Sequence, residues 1–159
     1  MNARNAAEPE TARTLVITRE YAAPARLLFA AYSTRDHLLQ WFGPKGWPLT
    51  HCELDFRVGG RFNFQMTGPD GEKGPPFGGE YLEIVPDKKI VYDNGFLDPG
   101  AERMVVTVTF DEKGGKTLLT MSTLFSSRAA YDEHVKLGFV EGCNSGFDNL
   151  VELVARLQR

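Results

Sequence analysis

This 159-residue chain has only two cysteines and three histidines, and no hydrophobic run of membrane-spanning length. Cys52 and Cys143 form no CxxC pair and lie in apolar surroundings. They read as buried reduced thiols, which excludes a redox pair and makes a disulfide unexpected. His37, His51 and His134 share no i, i+4 spacing and stand in no ligand motif, so no metal site and no cofactor are expected. GxSxG, Walker and dinucleotide signatures are missing too, so hydrolase, nucleotide-phosphate and Rossmann chemistry have no support. No stretch approaches roughly 18 apolar residues, and the opening MNARNAAEPETAR has no apolar signal core. The expected place is the cytoplasm. Basic residues are in short supply as well: 18 Lys and Arg against 21 Asp and Glu leave a net charge of −3. They are scattered along the chain, so no nucleic-acid partner is expected.

What the chain does have is a globular balance of 42% hydrophobic and 25% charged residues, enough for one substantial core. Residues 1–12 are polar and aperiodic and read as a disordered tail before a single domain over 13–159. Alternation over 14–21 predicts a strand. Pro24 then opens a short helix carrying Leu27, Leu28, Ala31 and Tyr32, and Thr34 caps a second one carrying Leu38, Leu39, Trp41 and Phe42. The Gly/Pro-rich stretch that follows, up to Trp47 and Pro48, reads as a loop able to move. Strand patterns recur at 51–58, 61–67, 79–85, 89–96, 103–111 and 116–125, separated by Gly59-Gly60, Gly68-Pro-Asp-Gly71, Pro86-Asp87, Asp98-Pro-Gly100 and Lys113-Gly-Gly115, which suit antiparallel hairpins.

Their faces are unequal. Phe62, Phe64 and Met66 oppose Asn63 and Gln65, while Met104, Val106, Val108 and Phe110 oppose Thr107 and Thr109. From about Phe139 onward the period changes to that of a helix, with Val140, Cys143, Phe147, Leu150, Val151, Val154 and Leu157 on one stripe. Two glycines make this segment a weak helix by itself, so a large apolar surface must cover the stripe. The expectation is an α+β domain: a curved antiparallel sheet wrapped around a long C-terminal helix, with two short helices after the first strand.

A string of motifs in order then carries a resemblance: Trp41-Phe-Gly-Pro-Lys-Gly-Trp47, Cys52-Glu-Leu-Asp-Phe-Arg-Val-Gly-Gly60, Gly68-Pro-Asp-Gly71, Gly79-Glu-Tyr-Leu-Glu-Ile-Val-Pro86, Val106-Thr-Val-Thr-Phe110 and Gly115-Lys-Thr-Leu-Leu-Thr-Met121. From Thr14 to Leu157 the chain resembles bacterial proteins of the AHSA1-like (activator of Hsp90 ATPase homologue) family. This is a branch of the START/Bet v 1-like helix-grip superfamily, SRPBCC. The resemblance implies a cavity between the sheet and the C-terminal helix. It also implies functions that range from lipid binding to cyclase chemistry and co-chaperone work. The eukaryotic activator has a further N-terminal domain that engages Hsp90, for which residues 1–13 are no substitute.

The candidate cavity wall is aromatic and apolar. From the first loop it takes Trp41, Phe42 and Trp47; from the strands Phe56, Phe62, Phe64, Tyr81, Tyr92, Phe96, Phe110, Met121 and Phe125; from the terminal helix Phe139, Cys143 and Phe147. Such side chains also fill ordinary cores, so a filled interior is the competing reading. Gly138, Gly142 and Gly146 fall four apart on one line of the helix. They either open the cavity mouth or, with Gly138 ending a preceding helix, permit close packing. Proton carriers, if any, would come from His51, Asp55, Glu80, Glu83, Tyr92 and Asp93, although pairing with Arg57, Arg61 or Lys89 is the plainer role for the charged ones. Three functions follow: binding an apolar or amphipathic small molecule or lipid, cyclase or isomerase catalysis in the same cavity, or recognition of a protein partner, by a monomer or homodimer.

Overall fold

A computed structural model describes residues 8–159. Its seven strands are β1 (Thr14–Tyr21), β2 (Leu49–Leu54), β3 (Arg61–Met66), β4 (Phe77–Val85), β5 (Lys89–Phe96), β6 (Met104–Lys113) and β7 (Lys116–Leu124). They form one antiparallel sheet in the order β1-β7-β6-β5-β4-β3-β2. Strands β2 to β7 run as a meander, each pairing with the next along the chain. β1 is separated from β2 by α1 (Ala25–Ser33) and α2 (Arg35–Trp41), and pairs instead with the last strand. The long C-terminal helix α4 (Phe139–Leu157) lies along the concave side, and the expected helix grip is present.

Opposed residues in the register carry the apolar face across the sheet. One row joins Ile17, Met121, Val108, Ile90 and Ile84, a second joins Cys52, Phe64, Phe77 and Phe96. A bulge between Tyr81 and Glu83 changes which residues of β4 face inward, so Tyr81 before it and Ile84 after it both do. On α4 the buried stripe is Gly146, Phe147, Leu150, Leu153 and Val154. At about 100° per residue it centres on Leu150. That centre places Leu153 inside the stripe and turns Val151, expected to be covered, out to 46% exposure.

Four local expectations need correction. Strand β2 ends at Leu54, not at 58; residues 55–60 form a loop in which a Cβ on Gly60 would stand 2.0 Å from the Asp55 carbonyl. Thr34 occupies the N-cap of α2 but its side chain makes no capping bond. A fourth helix, α3 (Arg128–Lys136), precedes α4, capped by Ser127 Oγ, which accepts from the Ala130 N–H at 3.0 Å. It buries only Ala130, so it shows almost no apolar period. Finally, residues 8–12, read as tail, are attached: Glu10–Ala12 form a 3-10 turn, and Glu8 Oε1 accepts the Arg128 N–H at 2.9 Å. Residues 1–7 lie outside the described residues.

Candidate ligand cavity between the sheet and the C-terminal helix

The backbone of α4 keeps closer company with α2 and α1 than with the sheet. What holds it there is polar stitching along one edge. Asn149 Nδ2 donates to the carbonyls of Trp41 and Gly43 at 3.4 and 3.2 Å, Ser145 Oγ accepts the Lys45 N–H at 2.7 Å, and Gly146 packs on Gly43 with room for little more than a methyl. The 42–48 loop, expected to move, is thus clamped to α4. On the other edge Arg19 pairs with Asp148 at 2.9 Å and donates to Asn144 Oδ1 at 3.1 Å. Tyr21 Oη donates to the Phe147 carbonyl at 3.0 Å.

Between these seams the helix stands off the sheet over a cavity of about 250 Å³. Tyr32 of α1, Trp41 of α2 and the Phe42-Gly43-Pro44 turn close one side. Met66, Phe77, Tyr92, Asn94, Met104, Val106 and Met121 form the sheet wall, and Phe139, Gly142, Cys143, Gly146 and Phe147 form the helix wall. The volume exists because α4 presents small residues here: a Cβ built on Gly142 meets nothing within 4 Å. Gly138, by contrast, takes a left-handed φ of 94° at the N-cap of α4 and turns the chain between α3 and α4.

Of the residues expected at the cavity, Trp41, Phe42, Tyr92, Met121, Phe139, Cys143 and Phe147 come together on it. Phe62, Phe64 and Tyr81 stand one layer deeper, around a void of about 10 Å³ that also touches Tyr32 and Tyr92. That is room for about one water. Phe110 meets Phe29 and Tyr32, and Phe125 is enclosed by Tyr131, His134 and Phe139, so both are core; Phe56 meets Phe29 and Tyr81 edge-on and packs, partly buried, against that core. Trp47 covers the 68–74 turn, where a Cβ on Gly68 would reach its ring at 2.7 Å. Phe96 continues the inner row of β5 beyond Phe77 but is half exposed. The reading from sequence passed over Tyr32, Gly43, Pro44, Met66, Phe77, Asn94, Met104 and Val106 as wall residues. Strand alternation marks Met66, Met104 and Val106 as inward; Phe77 was hidden because strand β4 starts two residues before the expected point.

The cavity wall carries no acidic, basic or imidazole side chain. The charged candidates for proton transfer sit on other surfaces: Asp55 with Arg57 at 3.0 Å, Glu83 with Lys89 at 3.2 Å, Glu80 3.8 Å from Arg61, and His51 3.7 Å from Glu53. Asp93 is occupied structurally, accepting from the Glu80 N–H and from Arg103 Nη2, both at 2.9 Å. Only Tyr92 among them reaches the cavity, and burial raises its phenol well above the ordinary range, as it does that of Tyr32. Burial likewise pushes the Cys143 thiol up to about 12. These groups stay protonated at neutral pH and do not act as bases there. Among the described residues, no group of three His, Cys, Asp or Glu is placed to hold a metal ion, and no helix is long and apolar enough to cross a membrane.

Comparison with known proteins agrees with this geometry. The sequence profile of the family described as "Activator of Hsp90 ATPase homolog 1-like protein" matches residues 22–155. A crystal structure of a Nitrosomonas europaea protein superposes with a TM-score of 0.83 at 25% identity, covering 94% of this chain and 99% of its own. One from Mycobacterium smegmatis gives 0.79 at 29%, covering 91% and 92%. A Silicibacter pomeroyi protein described as AHSA1 gives 0.75 at 25%, covering 92% and 99%. Among proteins with curated descriptions, none matches the chain in sequence.

Proposed function

Because the chain belongs to the family of activator of Hsp90 ATPase homolog 1-like proteins, on a fold with an interior cavity, we propose that it binds a small apolar molecule there without transforming it. The observation that carries this reading is the empty space in front of Gly142, where a core built only for packing would have placed a side chain. An apolar cavity of ~150 Å³ holds benzene, and sites for drug-sized ligands start near ~300 Å³. The 250 Å³ here therefore suit one ring system and a few further atoms. Catalysis by a cyclase or isomerase route would need a carrier that titrates near neutrality, and Tyr92 is held far from that by burial. A protein partner has no comparable feature in its favour.

The test is Gly142→Leu, whose Cβ enters open space at the cavity edge and which replaces a helical glycine, a gain of up to ~1 kcal/mol in propensity. Titration with the uncharged fluorescent probe 1-aminonaphthalene, one ring system and one further atom, should show saturable binding to the native chain. The variant should lose it while melting no lower. Equal binding by both proteins would place the probe elsewhere and sink the proposal.

A further inference from the structure

Buried tyrosine hydroxyls ordinarily find a partner, because leaving one unpaired forfeits a hydrogen bond it would make in water. Tyr21 obeys the rule through the Phe147 carbonyl. Tyr32, Tyr81 and Tyr92, at 6%, 4% and 7% exposure, make no such bond among the described residues; Tyr81 faces only a small deeper void, whereas Tyr32 and Tyr92 also line the cavity. Tyr32 and Tyr92 thus stand where the cavity and the deeper void adjoin. Cys143 lines the same cavity and adds a weak S–H donor to its wall. The remaining side chains of the wall are hydrocarbon, aromatic ring and thioether, apart from the partly buried Asn94, whose Oδ1 accepts the Gly95 N–H at 2.9 Å.

We propose that Tyr32 and Tyr92 are the polar pole of the cavity and select an uncharged carbonyl compound, a ketone, aldehyde or ester on a compact one- or two-ring apolar body, by donating two hydrogen bonds to its oxygen. This rests on the cavity reading above and deepens it. A carbonyl oxygen has two lone pairs in one plane and can accept from two O–H donors at once. A carboxylate or an ammonium is rejected, because the wall supplies no counter-charge and burial of an unpaired ion is costly. A pure hydrocarbon fits the volume but leaves both hydroxyls without partners. The discrimination is therefore by functional group, not by size.

A matched pair of probes decides it: 1-indanone and indane, nearly equal in shape and differing in the carbonyl. Affinities are measured by NMR titration on the native chain, on Tyr32→Phe, on Tyr92→Phe and on the double variant, with benzoate as the charged control and thermal melts to confirm folding. The native chain should bind 1-indanone about tenfold to a hundredfold more tightly than indane, from two neutral hydrogen bonds. Each Phe substitution should remove part of that preference, and the double variant all of it, with indane affinity kept or raised. Benzoate should not compete. If both probes bind and the native chain shows no ketone preference, or the preference survives in the double variant, the inference is overturned while cavity binding stands. If neither probe binds, cavity binding falls and the inference with it.

Discussion

At the scale of single residues, the buried tyrosines differ in whether the fold itself pairs their hydroxyls. Tyr21, Tyr32 and Tyr92 are all buried, and all descend from inward positions of strand or helix, yet only Tyr21 donates to a protein carbonyl. Removing one hydroxyl therefore has two different consequences. Tyr21→Phe gives up a bond worth about 0.5–1.5 kcal/mol net. Tyr92→Phe gives up none within the protein and should leave stability unchanged or slightly higher. Urea denaturation of the two variants checks this without any ligand, and an equal loss for both would mean that the Tyr92 hydroxyl is satisfied inside the fold. The same scale explains Trp47, whose place in the 41–47 motif suggested the cavity: its ring is spent covering Gly68, the one kind of residue that admits it so closely.

Among the elements, α4 does two jobs at its two ends. Its C-terminal half is packed solidly through Leu150, Leu153 and Val154, while Gly142, Cys143 and Gly146 leave the N-terminal half spaced from the sheet. Phe147 sits at the junction, stacked on Trp41 at 6.2 Å between centroids and 17° between planes. Phe147→Ala should cost about 3–5 kcal/mol as a large-to-small change in a core. Arg156→Ala, on the exposed face with a bond to Gln40, should stay within ~0.5 kcal/mol. Equal and small losses for both in chemical denaturation would deny the helix its anchoring role.

For the whole molecule, the buried acids set how stability depends on alkaline pH. The Cys143 thiol is pushed up to about 12, and the phenols of Tyr21, Tyr32, Tyr81 and Tyr92 are raised, in each case by burial first. Unfolding returns them to their ordinary values, about 8.5 for a thiol and 10 for a phenol. Above about pH 8.5 the folded chain thus binds more protons than the unfolded one. Stability should be flat below that point and fall as pH rises, by up to ~1.4 kcal/mol per pH unit for each group inside its window. Melting temperature measured from pH 7 to 11 checks the sign, and Tyr92→Phe and Cys143→Ala should both flatten the decline. A melting temperature that rose over this range would contradict the burial of these groups.

Much of the architecture was legible in the sequence because it rests on local rules. The strand period, the Gly and Pro turns and the change to a helical period after Phe139 imply a seven-stranded sheet and a terminal helix before any contact is known. Helix α3 was less legible, since a polar helix held by Ser127 and a single buried alanine has little period to read. Residues 8–12 were illegible for a similar reason: their order depends on Glu8 meeting the backbone of Arg128, 120 positions away. The candidate cavity was legible by half. Alternation identifies the side chains that face inward, but an inward Phe62 and an inward Tyr92 look alike in a sequence, and so do Phe125 and Phe139. Which of them meet protein and which meet open space depends on how far α4 stands from the sheet. That distance is decided by Asn149, Ser145 and Gly146 against the 41–45 backbone and by Arg19 and Tyr21 against the other edge. Only tertiary structure sets it, because no single segment contains both sides of either seam.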